Sequence, residues 1–383
     1  MTDRGGANML PRLLKEEQEK LLSPFAARNT ESRGRAVMQD KCTVRTDFER
    51  DTGRIIFSMD FRRLRHKTQV FFNPQNDHIC TRMEHVIYVN YISNTIGKAL
   101  GLNSDLIQAI ALGHDLGHAP FGHTGEKVLR RCLKKVDDKL DFQHELHSLR
   151  VVDLLAEKNN RRGLNLTFEV RDGIASHCGE RYNEFMLQPN RDKKTEDLVS
   201  LAICHGAPAT LEGCVVRMAD KIAYVGRDIE DAARAGIMEF DDLPSAIRTT
   251  LGRTNGEIIN TLVTDIIANS FQQDAIILSP EKGLSMEELL KENFNRIYRS
   301  EKIARYEKMA ENVIEGLFEA LYQAASDPEK LARSKNGTLS GLSDYLKQHP
   351  GPANEPVAQR IADYIAGMSD NYATKKFESI YWI

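Results

Sequence analysis

The 383-residue sequence has no apolar run approaching the roughly 20 residues of a membrane-spanning helix, which excludes a helical membrane protein. Charge of one sign is also missing: 52 Lys and Arg face 55 Asp and Glu, a net charge of −3 that argues against a dedicated, sequence-independent nucleic-acid binder. Its six cysteines contain no C-x-x-C pair, so neither a disulfide scaffold nor a zinc knuckle is expected. They read as reduced, packed thiols. Met1 is followed by Thr2, Asp3 and Arg4 rather than an apolar leader, and the expected location is the cytoplasm. Strand-like alternation and repeats of fixed period are hard to find. With 41% hydrophobic and 28% charged residues, the chain is neither disordered nor collagen-like and can bury a substantial core.

Helical spacing is what the sequence does have. Tyr88, Val89, Ile92, Ile96 and Ala99 follow a three-to-four-residue rhythm, with Gly101 placed to end that helix. Asn103 or Ser104 can cap the next, whose Leu106, Ile107, Ile110 and Ala111 lead into His114-Asp115 before Gly117, Pro120 and Gly122 break the pattern. A third helix from about Leu211 carries Val215, Met218, Ile222 and Val225, and a long one runs near Ile303 to Ala325. Asp220, Tyr224 and Asp228, at i, i+4 and i+8, are predicted along one helical face. Gln188–Lys194 and Ser326–Ser340 read as irregular. The fold class is all-α: an arm over residues 1–40, a catalytic core over 41–240, and a helical C-terminal region over 241–383 packed on the core.

Ten of the eleven histidines lie between His66 and His205. A lone histidine is usually a core or surface imidazole, but His114-Asp115 changes the balance, because burying an ionised aspartate costs several kcal/mol unless a cation or good donors compensate. His85, His114, Asp115 and Asp220 form a mixed imidazole and carboxylate set that suits Mn²⁺, Mg²⁺ or Fe²⁺ better than a thiolate-bound structural zinc.

These residues and their flanks carry a resemblance. His85, His114-Asp115 and Asp220 look like the H…HD…D pattern of HD-domain metal-dependent phosphohydrolases. Asp51-x-x-Arg54-Ile55-Ile56-Phe57-Ser58, Lys67-Thr68-Gln69-Val70, the run His114 to Glu126, Ala219-Asp220-Lys221-Ile222-Ala223-Tyr224, and Asp363 to Asp370 resemble the deoxyguanosine-triphosphate triphosphohydrolase family. The resemblance implies an HD-domain helical core and metal-dependent hydrolysis of dGTP, or of dNTPs generally, to deoxynucleoside and inorganic triphosphate. It implies metal ligation by His85, His114, Asp115 and Asp220, a catalytic His123 with Glu126 as its carboxylate partner, and a second active-site histidine at His144. Arg82 and Lys221 would contact phosphates, Tyr224 would lie against the deoxyribose, Asp228 would take the 3′-hydroxyl, and Gln69 would stand near the same sugar edge. A homo-oligomer follows by the same resemblance, with a dNTP or single-stranded DNA as candidate effector. His66, His78, His118, His177 and His205 are read as structural. A different HD phosphohydrolase, or a nucleotide sensor with vestigial catalysis, are the rival readings.

Overall fold

The computed structural model describes residues 11–69, 80–158, 161–178, 184–199 and 206–381. The architecture is helical, apart from two-residue strand pairs such as Met186–Leu187 with Ile276–Ile277. No helix among the described residues is long and apolar enough to cross a membrane.

Local sequence explains where the central helices begin. Thr81 and Glu84 form a reciprocal capping box at the start of the Arg82–Ala99 helix, and Asn103 accepts from Asp105 and Leu106 at the start of the Ser104–Gly113 helix. Thr210 caps Leu211–Val225. Gly101 adopts φ +70°, a conformation open to glycine, and turns the chain between the first two. These three helices pack on one another and, with Phe168–Ala175, bury Val86, Val89, Ile96, Ile107, Ile110, Val215, Met218 and Ile222 in the larger of two apolar cores.

The second core lies beside the first. It joins Val128, Leu129 and Leu133 of the Gly122–Val136 helix to Val313, Leu317 and Leu321 of the Glu301–Ala325 helix, and to Ile361 and Ile365 of Val357–Ala366. Residues 11–40 are tied to the first core by polar contacts: Arg12 pairs with Asp47, Arg35 with the buried Asp51, and Glu19 accepts from Asn29 and Asn103.

Two sequence expectations change. Ser326–Ser340 is largely helical, because its loop-like residues are helix starts: Asp327 caps Pro328–Ala332 with proline in the first turn, and Asn336 caps Gly337–Gln348. The helix carrying Asp220 stops at Val225, so Asp228 stands in the first turn of a separate helix, Arg227–Arg234. Gly226 stands at that break, where a side chain would meet Asn255 Oδ1 at 2.5 Å.

Candidate functional site

Four donor residues converge from the central helices. His85 occupies the first turn of Arg82–Ala99, His114 and Asp115 follow Ser104–Gly113 directly, and Asp220 lies within Leu211–Val225. His85 Nε2 lies 2.9 Å from Asp220 Oδ1, and His114 Nε2 lies 3.8 Å from that oxygen and 3.9 Å from Asp115 Oδ1. His114 Nδ1 donates to the Ala111 carbonyl at 2.7 Å, which leaves Nε2 buried, facing inward and with no hydrogen-bond partner among the described residues. An orphaned imidazole nitrogen between two carboxylates, in a mixed N and O donor set, fits a divalent cation. The ligand atoms of His85, His114 and Asp115 lie within 4.8 Å of one another.

The electrostatics agree with that fit. Burial pushes His114 down, so its neutral form is favoured. Burial opposes charge on Asp115, but Arg82, His118 and His114 together hold its carboxyl well below the usual range. Arg82 Nη1 donates to Asp115 Oδ2 at 2.6 Å, while His118 Nε2 lies 3.1 Å from Oδ1. Arg82 is 2% exposed, and its Nε and Nη2 have no hydrogen-bond partner among the described residues. That leaves guanidinium donors free for an anion.

The loop from His114 to Gly122 connects this cradle to a second group. Gly117 is obligatory there: a Cβ would lie 2.1 Å from the Ser148 amide nitrogen, whereas the Gly117 N–H now donates to Ser148 Oγ at 2.8 Å. Phe121 enters the Gly122–Val136 helix in the left-handed region (φ 62°), with its N–H held by Asp370 Oδ1 at 2.9 Å. His123 and Glu126 then meet within one turn, His123 Nδ1 lying 3.4 Å from Glu126 Oε2. The same oxygen lies 3.0 Å from His144 Nδ1, and Glu126 Oε1 accepts the His144 backbone N–H at 3.1 Å. Burial works against a charge on Glu126, yet His144 and His123 outweigh it and keep the carboxylate ionised. Burial likewise opposes charge on His144, and Cys178 and Glu126 together overcome it, raising that imidazole well above its ordinary value. His123 is 58% exposed, whereas Glu126 and His144 are buried.

Lys221 reaches Glu184 Oε2 at 3.3 Å, a carboxylate shared with Arg217. Asp228 is buried and accepts a short hydrogen bond from Tyr298; burial pushes its carboxyl up to about 7 against that bond. Tyr224 is half-buried at the end of its helix. Gln69 has a buried Oε1 without a partner among the described residues, and its backbone carbonyl borders Gly122.

Several residues at the site carry no functional role in the sequence reading. His118 stacks on His144 with ring centroids 3.9 Å apart, and His177 sits 4.8 Å from His114 and 5.4 Å from His144. His147 bonds the Gly117 carbonyl at 2.8 Å and faces Asp363 at 3.4 Å. The crowding of histidines into one stretch is the signal that could have gathered them. His66 is exposed, and His78 and His205 lie outside the described residues.

Residues 82–225 match the HD domain family, and residues 276–379 match the Phosphohydrolase-associated domain family. Proteins named deoxyguanosinetriphosphate triphosphohydrolase-like are similar along almost the whole chain. That of Caldanaerobacter subterraneus subsp. tengcongensis is 41% identical over 375 residues, covering 97% of this chain and 96% of the relative. That of Desulfatibacillum aliphaticivorans is 38% identical, covering 96% and 97%, and that of Clostridium perfringens (strain 13 / Type A) is 39% identical, covering 94% of both.

Proposed function

The chain belongs to the deoxyguanosinetriphosphate triphosphohydrolase-like family of HD-domain enzymes, and from that premise we propose that it hydrolyses dGTP, or dNTPs generally, to deoxynucleoside and inorganic triphosphate. The observation that carries the reading is the juxtaposition of the His85, His114, Asp115 and Asp220 donor set with the Glu126-bridged pair His123 and His144. Those four donors would hold Mn²⁺, Mg²⁺ or Fe²⁺, which when bound supplies Lewis-acid polarisation of a phosphorus-bound oxygen and a more acidic water.

The chain's own residues do the rest. Water attack at the α-phosphorus breaks its bond to the 5′-oxygen, and a proton must reach that oxygen. His123 is the exposed member of the histidine pair, so it carries the proton while Glu126 orients it. His144, fixed by the same carboxylate, contributes positive charge beside the phosphates. Arg82 offers its unpartnered guanidinium donors to the triphosphate, and Lys221 adds a second cation once it exchanges Glu184 for phosphate. Tyr224 and Gln69 border the deoxyribose. Asp228, oriented by Tyr298, takes the 3′-hydroxyl.

The catalytic core over residues 41–240, the C-terminal region over 241–383, homo-oligomeric assembly, and a dNTP or single-stranded DNA effector belong to the same proposal. Chromatographic identification of products from each of the four dNTPs, with and without Mn²⁺, tests the chemistry. Deoxynucleoside and triphosphate are expected; release of orthophosphate or pyrophosphate would overturn it.

A further inference from the structure

Beside the donor set stands a second convergence of metal-ligating atoms, from His144, His177 and Cys178. Their three ligand atoms lie within 4.8 Å of one another. Both imidazoles have Nδ1 committed elsewhere: that of His144 to Glu126 at 3.0 Å, and that of His177 to the Ile174 carbonyl at 2.6 Å. Metal-bound histidines characteristically have the non-ligating nitrogen fixed in this way, which sets the ring and turns Nε2 toward the ion. His144 Nε2 already faces Cys178 Sγ at 3.1 Å. A cation bound there requires the neutral imidazole and the thiolate, so the protons that Nε2 and the thiol carry leave to solvent as it binds.

The two donor sets differ in chemistry. The first is imidazole and carboxylate, whereas this one is two imidazoles and a thiol, a combination that favours Zn²⁺ over Mn²⁺ or Mg²⁺. Bonds of about 2.0–2.3 Å to a tetrahedral ion place neighbouring ligand atoms roughly 3.3–3.8 Å apart, within reach of small side-chain rotations here. His177 stands between the sets, since its ligand atom also comes within 4.8 Å of those of His114 and Asp220.

We infer that His144, His177 and Cys178 form a second, inhibitory metal site selective for Zn²⁺, whose occupation withdraws His144 from the hydrolytic site. Zinc at this position takes the Nε2 lone pair of His144 and leaves a fixed cation where substrate would otherwise approach that ring. The inhibitory consequence rests on the role proposed for His144; the site itself does not.

The test uses the full chain loaded with Mn²⁺, and Zn²⁺ and Co²⁺ as probes. Co²⁺ added to the loaded protein is expected to give the near-ultraviolet absorption of a cobalt–thiolate bond, lost in Cys178→Ser and weakened in His177→Gln. Zn²⁺ is expected to inhibit turnover, with Cys178→Ser raising the inhibitory concentration by about tenfold or more, each variant being compared with its own zinc-free rate. Circular dichroism checks that each variant is folded, and Cys178→Ala serves if the serine variant is not. Absence of cobalt–thiolate absorption in the parent protein, or zinc inhibition equal in parent and Cys178 variants, would overturn the site. The absorption requires no turnover, so failure of the dNTP reading and failure of this site are distinguishable.

Discussion

The donor set and the His123–Glu126–His144 group are neighbours, but they are built in different ways. His85, His114, Asp115 and Asp220 come from helices that pack on one another inside the larger apolar core, and the whole set falls within residues 82–225. His123 and Glu126 stand on a helix whose apolar face belongs to the other core, against Glu301–Ala325. The loop between the groups is pinned from far along the chain. Asp370 accepts from Thr68 N, Thr68 Oγ1 and Phe121 N, and the buried Lys67 ammonium bonds the carbonyls of His118 and Ala366. The difference teaches that the proposed metal cradle and the proposed proton-transfer group have separate structural supports. The C-terminal helices are part of the candidate site's frame.

The largest expected effect breaks the two regions apart chemically. Asp115→Asn should lose bound metal and lower turnover by about 10³-fold or more, because the neutral side chain removes a ligand charge and leaves Arg82 buried against an amide. His123→Ala should lower turnover by about 10²–10⁴-fold and keep the metal. Metal content measured beside single-turnover rates checks both; loss of metal in His123→Ala would mean that the two supports are not separate.

Next comes the pin. Asp370→Ala removes the carboxylate to which Thr68 N, Thr68 Oγ1 and Phe121 N all donate, at a cost of about 3–5 kcal/mol. Turnover should fall by about 10²-fold through misplacement of His123, with metal content unchanged at temperatures where the protein stays folded. Denaturant titration and metal analysis on the same sample check this. Turnover that tracks only the folded fraction would reduce Asp370 to a stability residue.

Why one region is more legible than the other follows from the same contrast. The central helices declare themselves locally, through Thr81 with Glu84, Asn103, Gly101 and an apolar rhythm, and His114-Asp115 is an adjacency that needs a cation or donors wherever it is buried. Thr68 and Asp370 are 302 positions apart, and nothing in the local pattern of either announces the bond. His177 enters the cluster only because Phe168–Ala175 packs on both Ser104–Gly113 and His144–Arg150. Three-to-four-residue spacing also carries Asp228 onto the Asp220 helix, which ends at Val225, before Gly226 packs against Asn255. In Ser326–Ser340, Asp327-Pro328 and Asn336-Gly337 serve equally well as turn residues or as helix caps, and neighbouring helices decide.

A pH measurement addresses the first core. Glu212 is fully buried, its Oε1 accepts from Ala27 N and Asn103 N, and burial pushes its carboxyl up to about 7. A carboxyl raised on folding binds its proton more tightly in the native state, so its contribution to stability is present at low pH and declines as pH rises from about 4.5 to 7. Glu212→Gln keeps the accepting oxygen and removes the titration. It should be more stable than the parent at pH 8 by about 2–3 kcal/mol and flatten the decline between pH 4.5 and 7. Melting temperatures across that range check it, and an unchanged slope would show that Glu212 is ionised throughout.

The smallest expected effect sharpens the claim about the second region. Its two main helices are also joined at the surface, where Arg131 and Lys135 of Gly122–Val136 meet Glu315 of Glu301–Ala325 at 3.1 and 2.7 Å. These pairs span the same interface as the apolar contacts, yet both cations remain about half exposed, so solvent and salt screen them and ordering long side chains offsets much of the attraction. Arg131→Ala with Lys135→Ala should leave turnover unchanged and shift the melting temperature by no more than about 2 °C. If the double variant instead lost activity as Asp370→Ala is expected to, the surface charges would be holding the helix that carries His123, and the buried pins would not be its main support. A null result assigns that support to the apolar seam and to Asp370 and Lys67, the contacts that reach the loop between the two groups itself.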